Sequence, residues 1–221
     1  IIADEQIRTL FQPIVDLGDS EITAFEALSR PQNSTIDHLD DDTLFEAARK
    51  AELDDELDRL CRRLAVERHP DLDPNDRLFI NCLPTTFCRP LDDLRAVLRR
   101  WEDAGLEPGQ LVFEINENVS QQQADRIFPT IRRLRERGFH FALDDMGTGT
   151  TNLRVLAELE PTFIKMDISL TAGIDDNTQK KALASYLLDL AEASGATLVA
   201  EGIESEDELD TVRQLGIHLG Q

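Results

Sequence analysis

From Arg77 onward, short apolar, β-branched runs alternate with longer amphipathic stretches, and this alternation restricts the chain to α/β architectures with parallel strands. "RLFINCL", "QLVFEIN", "FHFALDD", "TFIKMD" and "TLVAEG" read as strands. "LDDLRAVLRRWEDAG", "QADRIFPTIRRLRERG", "NLRVLAEL", "QKKALASYLLDLAEASG" and "EDELDTVRQLG" read as the helices between and after them, with a kink expected at Pro129. Upstream, "LFQPIVDL" and "EITAFEAL" flank Gly18-Asp19-Ser20, which predicts an antiparallel hairpin. One long helix is then expected from Thr43 to about Glu67, opened by a Thr43-x-x-Glu46 capping box and closed before His69-Pro70. The final "IHLGQ" starts a further strand. Seven strands and a truncated eighth, joined by right-handed crossovers, predict a modified (β/α)8 TIM barrel whose first strand is antiparallel and whose C-terminal end is cut short. A doubly wound open sheet is the alternative that the same alternation permits.

No Pro/Gly/Ser-rich linker interrupts the 221 residues, so residues 1–221 read as a single barrel domain, expected to be part of a longer protein. Apolar residues make up 41% of the chain, enough for a core of that size. No run approaches the length of a membrane-spanning helix, and no signal-peptide pattern opens the sequence. The formal charge of −21, from 44 acidic and 23 basic residues, disfavours binding to nucleic-acid polymers or anionic membranes. Acid-rich stretches such as "DHLDDD" and "ELDDELD" read as solvated faces. Cys61, Cys82 and Cys88 lack metal-type spacing and suggest reduced thiols in a cytoplasmic setting. His38, His69, His140 and His218 show no paired ligand spacing.

Polar residues recur at the carboxyl end of each predicted strand. These are Glu26, Asn81, Glu114, the adjacent Asp144-Asp145, Lys165 with Asp167, and Glu201 followed by Glu204, with Gln221 on the last strand. In a barrel these positions converge on the face where active sites are built. A single such residue is ordinarily a helix cap or an ion-pair partner. A whole ring of carboxylates is self-repelling and calls for positive charge. Lys165 supplies one charge, and hard divalent cations supply the rest. Oxygen donors without His or Cys suit Mg²⁺ or Mn²⁺ rather than Zn²⁺. The Asp144-Asp145 pair suggests two ions, the arrangement used for in-line phosphodiester cleavage at a metal spacing of roughly 3.5–4 Å.

In order along the chain, "FQPIVDL", "EALSR", "FIN", "FEINE", "DDMGTG", "IKMD" and "VAEGIES" resemble the motifs of the EAL-domain phosphodiesterases, from Phe11 to Gln221. That family hydrolyses the bacterial second messenger cyclic di-GMP to linear pGpG on a modified (β/α)8 barrel. The resemblance implies that Glu26, Asn81, Glu114 and Asp144 hold one metal, and that Asp145 and Glu201 serve a second with Asp167 nearby. It gives Lys165, Glu201 and Glu26 catalytic roles, with Lys165 holding or activating the attacking water. Gln12, Leu28, Arg30, Asp145 and Gln221 are implied to contact the dinucleotide. Glu117 would brace the loop after the fifth strand, and Glu204 would support the site. The implied cofactors are Mg²⁺ or Mn²⁺, with Ca²⁺ expected to inhibit. The implied partner is cyclic di-GMP, and the implied assembly is a cytoplasmic homodimer or the cytoplasmic part of a membrane-attached protein. Burial would lower the pKa of Lys165 and its carboxylate neighbours would raise it, so its charge state stays open.

Gly147 and Gly149 are expected to bring the "DDMGTGTTNL" loop close to the site, and a Ser205-x-x-Glu208 capping box to aim Glu201 and Glu204. Met146, Thr150-Thr151-Asn152 and Asn116 depart from the family's usual Phe, Tyr-Ser-Ser and Thr. These departures motivate an alternative: a catalytically weak or inactive domain that binds cyclic di-GMP and signals as a dimeric receptor. A third reading, an enolase-type lyase with a lysine base, also gathers carboxylates at strand ends.

Overall fold

The computed structural model describes residues 2–32, 41–88, 99, 101, 103–116, 118–148 and 153–221. Its eight strands close into one barrel in chain order: β1 (Ile7–Asp16), β2 (Ile22–Pro31), β3 (Arg77–Asn81), β4 (Leu111–Asn116), β5 (His140–Met146), β6 (Phe163–Met166), β7 (Thr197–Ala200) and β8 (Leu219–Gly220). β1 runs antiparallel to both neighbours, β2 and β8, and every other pair is parallel. Closure excludes the open-sheet alternative. The β1–β2 turn is held as its sequence predicts. Asp16 and Asp19 carboxylates accept from the Gly18 and Glu21 amides, and Ser20 takes a left-handed φ of 64°.

Strand alternation divides the core in two. Ile14, Ala24, Phe79, Val112, Ala142, Phe163 and Val199, one from each of the first seven strands, fill the barrel interior, with Leu219 of β8 against them. Their neighbours along the strands, among them Leu78, Ile80, Phe113, Phe141, Ile164 and Leu198, face outward into the layer of helices. That layer includes α3 (Gln121–Arg135), α4 (Leu153–Leu159), α6 (Thr178–Ser194) and α7 (Glu206–Gln214), while the short α5 (Ile168–Thr171) follows β6. α3 contains Pro129 and still buries Ile127, Phe128, Ile131 and Leu134.

The single helix expected between Thr43 and Glu67 is two helices, α1 (Asp41–Lys50) and α2 (Asp54–Glu67). The break at Ala51–Leu53 contains Glu52 at φ 58°, and neither Gly nor Pro marks it. α1 begins two residues before Thr43, so Thr43 is not its cap, and Glu46 instead pairs with Lys50 one turn on. α2 places Leu57, Leu60, Cys61 and Leu64 against Ile7 and Leu44, the i, i+3, i+4, i+7 stripe of a helix lying on a core. The helix expected over "LDDLRAVLRRWEDAG" lies mostly outside the described residues; Arg99, Trp101 and Asp103 within it are helical. None of the described helices is long and apolar enough to cross a membrane.

Candidate active site

The barrel interior dictates the site. Two residues beyond each interior-facing apolar side chain, on the same strand face, stands a polar one. Ala24 leads to Glu26, Phe79 to Asn81, Val112 to Glu114, Ala142 to Asp144, Phe163 to Lys165, Val199 to Glu201 and Leu219 to Gln221. β1 runs the other way, so its polar residue, Gln12, precedes Ile14 by two. All eight line one cavity of about 510 Å³ at the mouth formed by the carboxyl ends of the parallel strands.

Lys165 is the centre of this ring. Its Nζ lies 2.6 Å from Glu114 Oε1, 2.7 Å from Glu201 Oε1, 3.2 Å from Glu26 Oε2 and 3.3 Å from Asp144 Oδ1. Burial works to lower its pKa, but the four carboxylates outweigh this and hold it well above the usual lysine value. The four carboxylates around it thus hold Lys165 toward its ammonium form. Glu26 also accepts from Asn81 Nδ2 at 3.2 Å and Gln221 Nε2 at 2.6 Å. Burial works to raise its pKa, but Lys165 and these hydrogen bonds keep it below the ordinary glutamate value. Glu114 behaves oppositely. Burial and the charge of Glu26 push it well above that value, against the pull of Lys165. Glu201 is raised to about 7, first by burial, with Lys165 opposing and the Asp144 and Glu26 charges adding.

β5 delivers two adjacent carboxylates because its register with β6 slips between Leu143 and Met146. Such an irregularity lets consecutive residues share a face. Asp145 sits there at φ 59°, and Asn116 of β4 donates a hydrogen bond to its carboxylate. Asp144, Asp145 and Glu201 each offer an oxygen within 4.8 Å of the others.

This donor set fits divalent ions. Five carboxylates, those of Glu26, Glu114, Asp144, Asp145 and Glu201, line the cavity with Lys165. Among the described residues, Glu114 Oε2 is buried with neither a hydrogen-bond partner nor a basic group against it, while Asp144 Oδ1 lacks a hydrogen bond but lies 3.3 Å from Lys165 Nζ. Glu114 Oε1, close as it is to Lys165, also stands outside hydrogen-bond geometry. Buried carboxylate oxygens left this way are costly unless a cation satisfies them.

Of the other expected positions, Leu28 and Arg30 line the same cavity. Asp167 is not part of the cavity lining. Its Oδ1 accepts from the Ser169 amide at 2.8 Å and so caps α5. Glu204 is exposed and outside the lining, and its amide donates to Glu208 Oε2. The Ser205–Glu208 capping box forms, and Glu208 additionally accepts from Gly173, tying the β7 exit to the end of α5. Gly147 has a packing role, since a Cβ there would meet Leu170 Cδ1 at 2.4 Å. Glu117, Gly149 and Thr150-Thr151-Asn152 lie outside the described residues. The cavity also recruits Asp58, which belongs to the stretch read as a solvated face, and Arg62, both of α2. The available signal was their i, i+4 spacing beside the apolar stripe of α2.

The EAL domain family model matches residues 2–221. The chain is 31% identical to the cyclic di-GMP phosphodiesterase NbdA of Pseudomonas aeruginosa over 222 residues, covering 96% of this chain and 28% of that protein. It is 28% identical to the probable cyclic di-GMP phosphodiesterase PdeB of Escherichia coli over 225 residues, covering 100% of this chain and 42% of that one. The chain thus spans less than half the length of these relatives. The structure of Klebsiella pneumoniae BlrP1 with calcium and cyclic di-GMP matches with a TM-score of 0.83 at 28% identity, covering 98% of this chain and 54% of that one. The manganese and cyclic di-GMP complex of BlrP1 matches with a TM-score of 0.82, at the same identity and coverage. With the family's pattern running from residue 2 to residue 221 over an eight-stranded barrel, this chain belongs to the EAL domain family.

Proposed function

We propose that this chain is a divalent-metal-dependent phosphodiesterase that hydrolyses cyclic di-GMP to linear pGpG. The observation that carries the reading is one lysine, Lys165, set among four carboxylates, those of Glu26, Glu114, Asp144 and Glu201, with Glu114 Oε2 left unsatisfied. The names of NbdA and PdeB, and the cyclic di-GMP held by BlrP1 with calcium or manganese, support the choice of substrate and metal class.

Glu26, Asn81, Glu114 and Asp144 would hold one ion, and Asp144, Asp145 and Glu201 a second. Bound Mg²⁺ or Mn²⁺ supplies Lewis-acid polarisation of a phosphoryl oxygen and a more acidic water. The rest falls to the chain's own groups. Gln12 and Arg30 line the cavity beside the carboxylates, where the Arg30 guanidinium can grip a phosphate with two parallel hydrogen bonds. Glu201 lines the cavity, held by Lys165 2.7 Å from its Oε1, and is placed to take the proton of the attacking water. Lys165 Nζ holds Glu201 and Glu114 in place and offers N–H donors toward that water. The water oxygen bonds to phosphorus as the bond from phosphorus to the ribose 3′-oxygen breaks. The departing 3′-oxygen takes up a proton from solvent to leave as a hydroxyl, and the water's own proton passes through Glu201 back to solvent. One phosphate then remains on the 5′-oxygen, giving pGpG.

The test is to incubate the purified chain with cyclic di-GMP and Mn²⁺ and resolve the products chromatographically. Formation of pGpG, abolished by Glu26→Ala, is expected. Binding of cyclic di-GMP without pGpG would replace this reading with the receptor.

A further inference from the structure

We propose that Asp58 of α2 is a positioning residue that holds the metal-binding end of β3. The inference rests on the metal-site reading above but not on turnover. Asp58 is 2% exposed, although its surroundings in sequence, "ELDDELD", are those of a solvated helix face. Its Oδ1 accepts from the Leu83 amide at 3.0 Å, and its Oδ2 from Thr86 Oγ1 at 2.8 Å. Both donors belong to the segment that leaves β3 immediately after Asn81. Arg62, one turn along α2, supplies Nε at 2.9 Å and a second guanidinium nitrogen at 2.7 Å to the same Oδ2.

The placement has a mechanical consequence. Asn81 is the last residue of β3. It pairs with Glu114 across the ladder and donates to Glu26, so it joins two carboxylates of the site. Beyond it, the Cys82 amide still reaches the Glu114 carbonyl at 3.2 Å, and the chain then turns into a single 3₁₀ segment, Pro84–Cys88. There the sheet no longer fixes the backbone, and α2 takes over. Asp58 binds two groups of the exit, and Asp55 accepts from Thr85 Oγ1 at 2.6 Å. A buried ion pair is by itself weak evidence of stability, because apolar residues fill such space as well. An apolar side chain could not accept from the Leu83 amide and the Thr86 hydroxyl together. The carboxylate is needed for that junction, and Arg62 neutralises it in place.

Groups that orient metal ligands from behind typically change metal affinity by roughly 10–100-fold when altered. The proposal is tested on the full chain by titrating Mn²⁺ and following the electron paramagnetic resonance signal of the free ion, without nucleotide. Failure to hydrolyse cyclic di-GMP therefore strikes the reading above and not this one. Asp58→Asn is expected to weaken Mn²⁺ binding about tenfold. Thr86→Val, which removes one hydrogen bond and leaves the Asp58–Arg62 pair intact, should weaken it in the same direction by a smaller factor. It carries the test should Asp58→Asn fail to fold. Val212→Ala, a core truncation on α7, controls for general destabilisation and should lower the melting temperature with Mn²⁺ affinity unchanged. The proposal is overturned if the variants bind Mn²⁺ as tightly as wild type, if Val212→Ala weakens binding equally, or if wild type takes up no Mn²⁺.

Discussion

Lys165 Nζ and Glu114 Oε1 lie 2.6 Å apart at the closed floor of the barrel mouth, with their side chains 1% and 0% exposed. A pair this deep is held by what surrounds it. Glu114 is pushed toward its protonated form first by burial and then by the charge of Glu26, while the four carboxylates around Lys165 push it toward the charged form. The floor of the mouth is thus tuned by competition for one ammonium, and any added cation relieves that competition.

Lys165→Met tests this directly. Removing one member of a buried charge cluster costs about 3–5 kcal/mol, part of which is offset here as neighbouring carboxyls take up protons. The melting temperature in EDTA should fall, and Mn²⁺ should raise it by more than it raises that of wild type. Turnover of cyclic di-GMP should drop by at least about 100-fold, the loss expected when a preorganised hydrogen-bond donor at the reacting centre is removed. A variant with wild-type turnover would remove Lys165 from the chemistry.

The metal-free protein should also lose stability as pH rises through neutrality. Glu201 is protonated up to about 7 in the folded chain, against 4.5 for an ordinary glutamate. Between those values the folded state binds more protons than the unfolded one, so stability present near pH 5 is lost as pH climbs through 7. Glu114, also raised, pulls in the same direction. Glu26, whose pKa is lowered, contributes above the ordinary glutamate value and loses its contribution only in more acid solution. Melting curves in EDTA from pH 5 to 8 should decline for wild type and decline less for Glu201→Gln. At pH 6, Mn²⁺ uptake should release protons, which calorimetry in buffers of different ionisation enthalpy detects.

The strand-end ring was legible because a polar residue ending an apolar run breaks a simple pattern. Glu26, Asn81, Glu114, Asp144, Lys165 and Glu201 each do so, and the two-residue strand period sends them all inward. Asp58 was not legible. A helix shows which face is apolar, but a carboxylate at the margin of that face looks solvated until the β3 exit is seen to cover it. The break between α1 and α2 was hidden for a similar reason, because the chain turns there through Glu52 without a residue that demands it. Asp167 shows the ambiguity of a strand-end acid. A strand-end Asp serves equally well as a helix cap, and here its side chain binds the Ser169 amide.

Gly202 makes the aim of Glu201 a matter of packing. It stands at φ 67°, and a Cβ would lie 2.2 Å from Ile168 Cγ1. Gly202→Ala should cost about 1–3 kcal/mol through overpacking, with left-handed strain added, and should lower turnover by displacing its neighbour. The double variant Gly202→Ala/Ile168→Ala removes the contacts with Ile168 Cγ1 and Cδ1, leaves Ile168 Cβ at 2.7 Å, and keeps the strain. It should therefore recover part of the stability measured by denaturant unfolding. No recovery would mean that the Ile168 side chain beyond Cβ does not explain the glycine, leaving backbone conformation and the remaining Cβ contact.

Exchanging the metal separates binding from chemistry. Asp144, Asp145 and Glu201 offer oxygens within 4.8 Å of one another, and Glu26, Glu114 and Asn81 add donors beside them. Ca²⁺ accepts such all-oxygen sets but takes 6–8 ligands at about 2.3–2.6 Å, against the near-octahedral 2.0–2.1 Å of Mg²⁺. A larger and less directional ion polarises a phosphoryl oxygen and a water less strongly, so it should hold the nucleotide without driving its hydrolysis. With Ca²⁺ in excess over Mn²⁺, cyclic di-GMP binding followed by calorimetry should persist while pGpG formation stops. Removing Ca²⁺ with a selective chelator and restoring Mn²⁺ should recover turnover. Equal turnover with both ions would show that the ring of oxygens does not discriminate by ion size. Loss of nucleotide binding in Ca²⁺ would show that the smaller ion is needed for recognition as well as for cleavage.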